Sequence, residues 1–453
     1  MAFEYDLVVI GASRAGIEAA IAATHLKARV ALVEQDCSAS KQSRSVGWLE
    51  SPSWAQIEQA MQLESDQGKT FADLAALGVE VLEGCGQFSK QPDLGFEVTE
   101  RWIRARGYLI ATDASPAIPD IEGLPTTDYF TLETIWQHLA SLHPDTPQDV
   151  IIIGGDPQGI RLAQLLAQWG CYVTLVVSSA SVLLQEDPEI ARLVQAQLEA
   201  DGVRILSRTK VTQVKQIQQK KWVQAGHQAL EADLLILATG RQPNLAGLNL
   251  AAVRVKADQS GLTCNSKLQT TNPRIYGCGA AIAAYSLTNL AIYEAKVAIK
   301  NALFFPIFKA NYRGIPWTTA FKPGLARVGL TESQAKRRYG KDLMVLREYF
   351  KTLPQAQLQE ETTGFCKILV RRNGEILGAH ILGAEAREMI SAIALAMRQN
   401  LKISALAELP VLSPAFSEIL SKTAADWDRQ RSQQTPFLQN LREGYFNWQR
   451  SRS

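Results

Sequence analysis

Two glycine turns hold the residues whose types and spacing could do chemistry. In YDLVVIGASRAG, Gly11, Ser13 and Gly16 follow a β-branched run and lead into the helix-forming stretch IEAAIAATHL. Backbone N–H groups at such a turn, backed by the positive end of a helix, hold the pyrophosphate of a dinucleotide. Glu34 follows Gly16 by 18 residues, where a carboxylate accepts hydrogen bonds from an adenosine ribose. The second turn, in DVIIIGGDPQGIR, offers Gly154 and Gly159 but places Asp156 where the fingerprint wants its middle glycine. A carboxylate about 5 Å from a phosphate charge costs roughly 3 kcal/mol at an effective dielectric near 20, about a hundredfold in affinity. The same group stabilises a helix N-terminus with no ligand present. Val177 stands where this unit would carry its ribose acid, and no arginine accompanies Ser178 and Ser179.

Each turn needs a strand before it and a helix and second strand after it. The chain supplies both sets: YDLVVIG, IEAAIAATHL and ARVALVE, then DVIIIGG, RLAQLLAQWG and YVTLVVS. GYLIAT and DLLILATG read as further buried strands, and Gly240 follows the second of them. PRIYGCGAA is another strand and turn, with Gly279 in it. Beyond NYRGIPW, CKILVRR, the Asn373–Gly374 turn and EILGAHIL form a hairpin of an antiparallel sheet, followed by helices. The fold class expected is α/β, with two Rossmann-type units and an α+β C-terminal region.

With 453 residues and 46% hydrophobic content, the chain has material for two to four globular domains. A net charge of +2 with no basic run argues against nucleic acid. There is no run of 18 apolar residues and no leader pattern at MAFEYDLVVIG, so neither a transmembrane segment nor secretion is expected. The six cysteines lack close spacing and read as thiols in a reducing cytoplasm, and neither they nor the five histidines have metal-site spacing. In the tail, Thr435 and Pro436 read as a helix N-cap and first position, and Phe437, Leu441, Tyr445 and Trp448 recur at helical spacing. This helix is expected to pack on its own protein; docking to a protein partner or to a membrane surface is the alternative.

Taken in order, GASRAG with Glu34, YLIAT, the unit at 149, DLLILATGRQPN, PRIYGCGA, ARVGLTESQAK and GFCKILVRRNGEILGAHILGAEA resemble the class I pyridine nucleotide-disulfide oxidoreductases, in the dihydrolipoamide dehydrogenase and mercuric reductase branch. The resemblance implies a homodimer with a split FAD-type domain (1–147 and 246–312), an inserted NAD(P)-type domain (148–245) and an interface domain (313–427), leaving 428–453 as a helical tail. It also implies electron flow from NAD(P)H through FAD to a redox disulfide, with a His/Glu pair handling protons. Here Ser43 and Trp48 stand at the two cysteine positions and Ser413 at the histidine, while Glu418 keeps the acid. Pro52 and Arg161 replace the lysine and glutamate that flank the flavin in relatives. A serine hydroxyl has no pKa near neutrality and cannot shuttle protons as imidazole does.

For FAD, the resemblance points to Gly11, Ser13, Gly16, Glu34, Thr112 and Gly279. Ser13 replaces a glycine, Ala280 an aspartate and Asp113 a glycine of the family pattern, so the sequence leaves FAD open. NAD(P) at Gly154, Gly159 and Gly240 is not expected, because of Asp156 and Val177. The expectation is a catalytically degenerate homologue without dithiol reductase activity, serving as a scaffold or regulator. The alternative is an FAD-dependent NAD(P)H oxidoreductase that passes electrons directly to a quinone, oxygen or a protein.

Overall fold

The computed structural model describes residues 3–35, 71–91, 93–139, 148–283, 287–319, 321–434 and 436–451. Its first sheet is built from β1 (Tyr5–Ile10), β2 (Val30–Glu34), β3 (Val79–Glu83) and β4 (Ala105–Ile110), with α1 (Arg14–His25) joining β1 to β2. The second draws on β5 (Phe130–Thr131), β6 (Asp149–Ile153), β7 (Tyr172–Val176), β8 (Arg204–Leu206) and β9 (Leu234–Leu237). Helices α2 (Pro157–Gln168) and α3 (Pro188–Ala200) accompany it. The chain then returns to the first sheet with β10 (Ile275–Gly277), followed by α4 (Thr288–Leu303). The strand orders are β10-β4-β1-β2-β3 and β8-β7-β6-β9-β5, parallel throughout.

Parallel strands are covered on both faces, which is why YDLVVI and DVIII read as near-continuous apolar runs instead of alternating. On one face of the first sheet, Leu7 and Val9 pack under α1 and α4, whose contact is made of small residues including Ala19, Ala20, Ala291 and Ala295. On the other, Val8, Ile10 and Tyr108 meet Phe88 and Phe96 of a small antiparallel sheet.

The third region is an antiparallel sheet of β11 (Pro316–Thr319), β12 (Leu325–Gly329), β13 (Leu343–Tyr349), β14 (Phe365–Arg371) and β15 (Ile376–Leu382), in the order β11-β12-β15-β14-β13. Helices α5 (Glu332–Tyr339), α6 (Ala386–Arg398), α7 (Glu418–Gln434) and α8 (Pro436–Arg450) complete it. The fold class is the one the sequence implies, down to the hairpin that turns at Asn373 and Gly374.

The tail departs from expectation at two of its four stripe residues, Tyr445 and Trp448. It forms α8, but Tyr445, Phe446 and Trp448 are half exposed, at 54%, 52% and 50%. A helical apolar stripe shows which residues share a face and not whether anything covers that face. A second departure concerns the cysteines. Cys171, Cys264, Cys278 and Cys366 are free, but Cys85 is disulfide-bonded. The absence of a close pair in sequence does not exclude a disulfide, because cysteines distant along the chain can meet in the fold.

Candidate functional site

At the first turn Gly11 has φ +106°, and a Cβ there would stand 2.6 Å from Ala111 O. A Cβ on Gly16 would lie 2.1 Å from Gly11 O. Both glycines are therefore demanded by the crossing of α1 over the ends of β1 and β4, which shapes a cradle at the C-terminal edge of the sheet. Ser13 caps α1: its hydroxyl accepts from Gly16 N at 3.2 Å and donates to Ala111 O at 2.6 Å. Its only proton is thus directed at the protein's own backbone. Glu34 ends β2, half-buried and in register with Glu83 of β3. Thr112, just past β4, is buried, and its hydroxyl has no hydrogen-bond partner among the described residues. An orphaned buried hydroxyl at the nucleotide-binding edge of such a sheet fits a ligand atom that would satisfy it.

Gly279 closes this edge with φ +60°. Its N–H donates to Glu294 Oε2 at 2.7 Å, and Tyr312 donates to Glu294 Oε1 at 3.1 Å. Burial pushes the Glu294 carboxyl up, against these bonds. Ala280 is buried beside it. Asp113 lies 3.5 Å from Arg241, on the link between the first two sheets.

The second turn has the same backbone geometry and a different occupant. Gly154 has φ +117°, and a Cβ would stand 2.0 Å from Ala238 O; a Cβ on Gly159 would stand 2.2 Å from Ala238 Cβ. Strand–helix packing alone accounts for both. Asp156 is the N-cap of α2, its carboxylate accepting from Gln158 N at 2.8 Å and also from Gly159 N. These are the donors a pyrophosphate would use. Partial burial pushes the Asp156 carboxyl up, while the two N–H bonds and Arg241 act the other way. Val177 is fully buried. Gly240 has φ +93° with open space around it, and Arg241 beside it pairs with Glu133 at 2.5 Å and with Ala114 O.

In the third region Ser413 and Glu418 come together. The Ala415 N–H, at 3.1 Å, the Ser413 hydroxyl and Lys422, at 3.3 Å, hold the Glu418 carboxyl below its ordinary range. Arg161 is buried on α2. Ser43, Trp48 and Pro52 lie outside the described residues.

A polar cluster that sequence reading did not single out joins the second unit to the third region. Sheet register sets Arg327, His380, Lys367 and Arg347 side by side across β12, β15, β14 and β13. Facing them at the start of α3 are Glu186, Asp187 and Glu189. Lys367 is fully buried, its ammonium 2.6 Å from Asp187 and 3.1 Å from Glu332; Arg327 meets Glu186 at 3.0 Å and Arg347 meets Glu189 at 2.7 Å. Both ring nitrogens of His380 are buried without a hydrogen-bond partner among the described residues. Burial pushes Glu186 up to about 7 and holds His380 well below the usual imidazole value. For Asp187 burial is outweighed by Lys367, His380 and the Glu332 N–H, so its carboxyl lies low. The available signal was a lysine inside the apolar strand FCKILV.

Two parallel dinucleotide-type sheets joined to an antiparallel sheet define an architecture of two Rossmann-type units with an α+β C-terminal domain. Residues 5–302 match the pyridine nucleotide-disulphide oxidoreductase family and 315–424 match its dimerisation domain, so the chain belongs to that family. It is 31% identical to a mercuric reductase of Staphylococcus aureus, across 94% of this chain and 83% of that protein. It is 26% identical to the probable pyridine nucleotide-disulfide oxidoreductase RclA of Escherichia coli, across 92% and 98%. Among solved structures, the Cu(II) complex of the HOCl-induced flavoprotein disulfide reductase RclA C43S mutant from Escherichia coli superposes with a TM-score of 0.82 at 24% identity, covering 94% of this chain and 99% of that one. LpdA of Mycobacterium tuberculosis does so at 0.80 and 22%, covering 93% and 99%. No helix among the described residues is long and apolar enough to cross a membrane.

Proposed function

We propose that this chain is a catalytically degenerate member of its family: a homodimeric scaffold or regulatory protein, without NAD(P)H-driven dithiol reductase activity. The observation that carries the reading is the bond from Gln158 N to Asp156 Oδ1, which commits the second turn's donors to the protein itself. Ser413 beside Glu418 supports it, since that pair has no group titrating near neutrality on the serine side. Ser43 and Trp48, set at the two thiol positions by the sequence resemblance, complete the argument. Under this reading the division into 1–147 with 246–312, 148–245, 313–427 and the tail 428–453 is retained, with the half-exposed face of α8 available to a partner. A cytoplasmic location belongs to the same proposal, supported by the free thiols of Cys171, Cys264, Cys278 and Cys366.

The first turn supports a second reading, that of a flavoprotein passing electrons directly to a small or protein acceptor. The orphaned Thr112 hydroxyl and the Gly11 cradle fit FAD, which Gly11, Ser13, Gly16, Glu34, Thr112 and Gly279 would hold. When bound, FAD supplies the two-electron chemistry; the protein supplies position and water exclusion. An absorbance spectrum of the purified protein separates the two readings. Lack of oxidised-flavin bands removes the second. Flavin bands that bleach anaerobically with micromolar NADH or NADPH remove the first.

A further inference from the structure

The turn after α4 holds an apolar surface that the nucleotide sites do not use. Phe304, Phe305 and Ile307 are 55%, 75% and 67% exposed, and with Leu26, Lys300 and Phe308 they line an open hollow of about 290 Å³. Exposed apolar residues scattered singly need no explanation, but a contiguous group does. This one is held out deliberately. Asn301, almost fully buried, accepts from Phe308 N at 2.9 Å and donates to Phe308 O at 2.7 Å and to Lys267 O at 2.9 Å. Ala310 N is tied to Ser266 O at 2.7 Å. These bonds fix the backbone at the end of the turn, at Phe308 and Ala310.

The charge around the tip has one sign. Segments 25–29 and 300–313 contain Lys27, Arg29, Lys300, Lys309 and Arg313 and no Asp or Glu. Arg29 faces Asp6 at 3.8 Å and Arg313 faces Glu375 at 3.1 Å, whereas Lys27, Lys300 and Lys309 have no carboxylate within 4.0 Å among the described residues. We propose that Leu26 and the Phe304–Phe308 turn, ringed by these lysines, form a docking surface for an anionic lipid bilayer, with the aromatic tip inserted at headgroup depth. Aromatic and aliphatic tips flanked by cations suit that boundary, where apolar burial and attraction to anionic headgroups add. A second copy of the chain is disfavoured as the occupant, because it would set like charges against each other.

The test is flotation of the purified full chain with phosphatidylcholine vesicles, with and without 30% phosphatidylglycerol. Binding is expected at least tenfold tighter to the anionic vesicles and weakened in 0.5 M salt. Phe305→Ser with Ile307→Ser is expected to reduce it at least tenfold at unchanged thermal midpoint, because both side chains are already in water. Lys300→Gln with Lys309→Gln is expected to reduce it about 25-fold, at about fivefold per cation. Absence of vesicle binding, equal binding to neutral vesicles, or full binding by the Phe305/Ile307 variant overturns the proposal; the last outcome assigns membrane contact to another surface such as α8. Self-association of the wild-type chain that the Phe305/Ile307 variant abolishes, without vesicle binding, assigns the patch to a contact between copies.

Discussion

Lys367 Nζ lies 2.6 Å from Asp187 Oδ2, in a fully buried contact between the middle of the C-terminal sheet and the residue that precedes α3 of the second dinucleotide-type unit. Asp187 also accepts from Glu332 N at 3.0 Å, so one carboxylate ties together two sequence-distant elements. A buried ammonium is tolerated only when its partners are in place, and here two carboxylates lie within 3.1 Å of it.

Removing that ammonium leaves Asp187 buried beside an apolar side chain. Lys367→Met is expected to destabilise the protein by about 3 to 5 kcal/mol, read by chemical denaturation. A loss below 1 kcal/mol would show that water reaches the cluster.

The same cluster predicts a pH dependence. Glu186 is raised from 4.5 to about 7, so its folded state favours the protonated form, and stability from this group is lost as pH rises through that window. The amount is on the order of 3 kcal/mol. His380 is lowered, so its contribution is lost as pH falls below about 6.5, where the unfolded imidazole protonates first. Between pH 5 and 6.5 the two trends oppose. Glu186→Gln removes the first, and its thermal midpoint is expected to gain on the wild type steadily from pH 5 to pH 8. Parallel midpoint curves for the two proteins would count against this assignment.

Asp156→Gly is expected to raise affinity for NADH or NADPH by up to about a hundredfold, since roughly 3 kcal/mol of repulsion is lifted. The cost in helix capping is a few tenths of a kcal/mol. No dithiol turnover is expected to appear. Calorimetric titration of both proteins decides it: an unchanged affinity means that the acid is not what closes this turn.

Gly154→Ala tests the packing origin of the second turn. The added Cβ meets Ala238 O at 2.0 Å at a positive φ, and the expected outcome is a protein destabilised by several kcal/mol or insoluble on expression. A midpoint close to that of the wild type would mean that the turn is held by something other than this contact.

Truncation after Gln434 removes α8, whose Tyr445, Phe446 and Trp448 are half exposed. The thermal midpoint is expected to move by less than about 2 °C. A larger fall would indicate that the other face of the helix packs firmly on the protein.

Much of this molecule was determined locally by sequence. A β-branched run, a glycine with positive φ and a helix start are contiguous, so both dinucleotide-type units could be read directly, and Asp156 could be recognised as a helix cap because the N–H groups that donate to it lie two and three residues on. The Asn373–Gly374 hairpin is legible for the same reason. The relationships decided only by tertiary structure join residues far apart in the chain. The basic row of Arg327, His380, Lys367 and Arg347 exists because four strands align in register, and three of its acidic partners, Glu186, Asp187 and Glu189, arrive from the start of α3, more than 130 residues earlier. The capture of Gly279 N by Glu294, the orphaned Thr112 hydroxyl, the bonded Cys85 and the half-exposed tail likewise depend on what lies beside each residue in space. Sequence periodicity gives a side chain its face, while its neighbour across that face is chosen by packing.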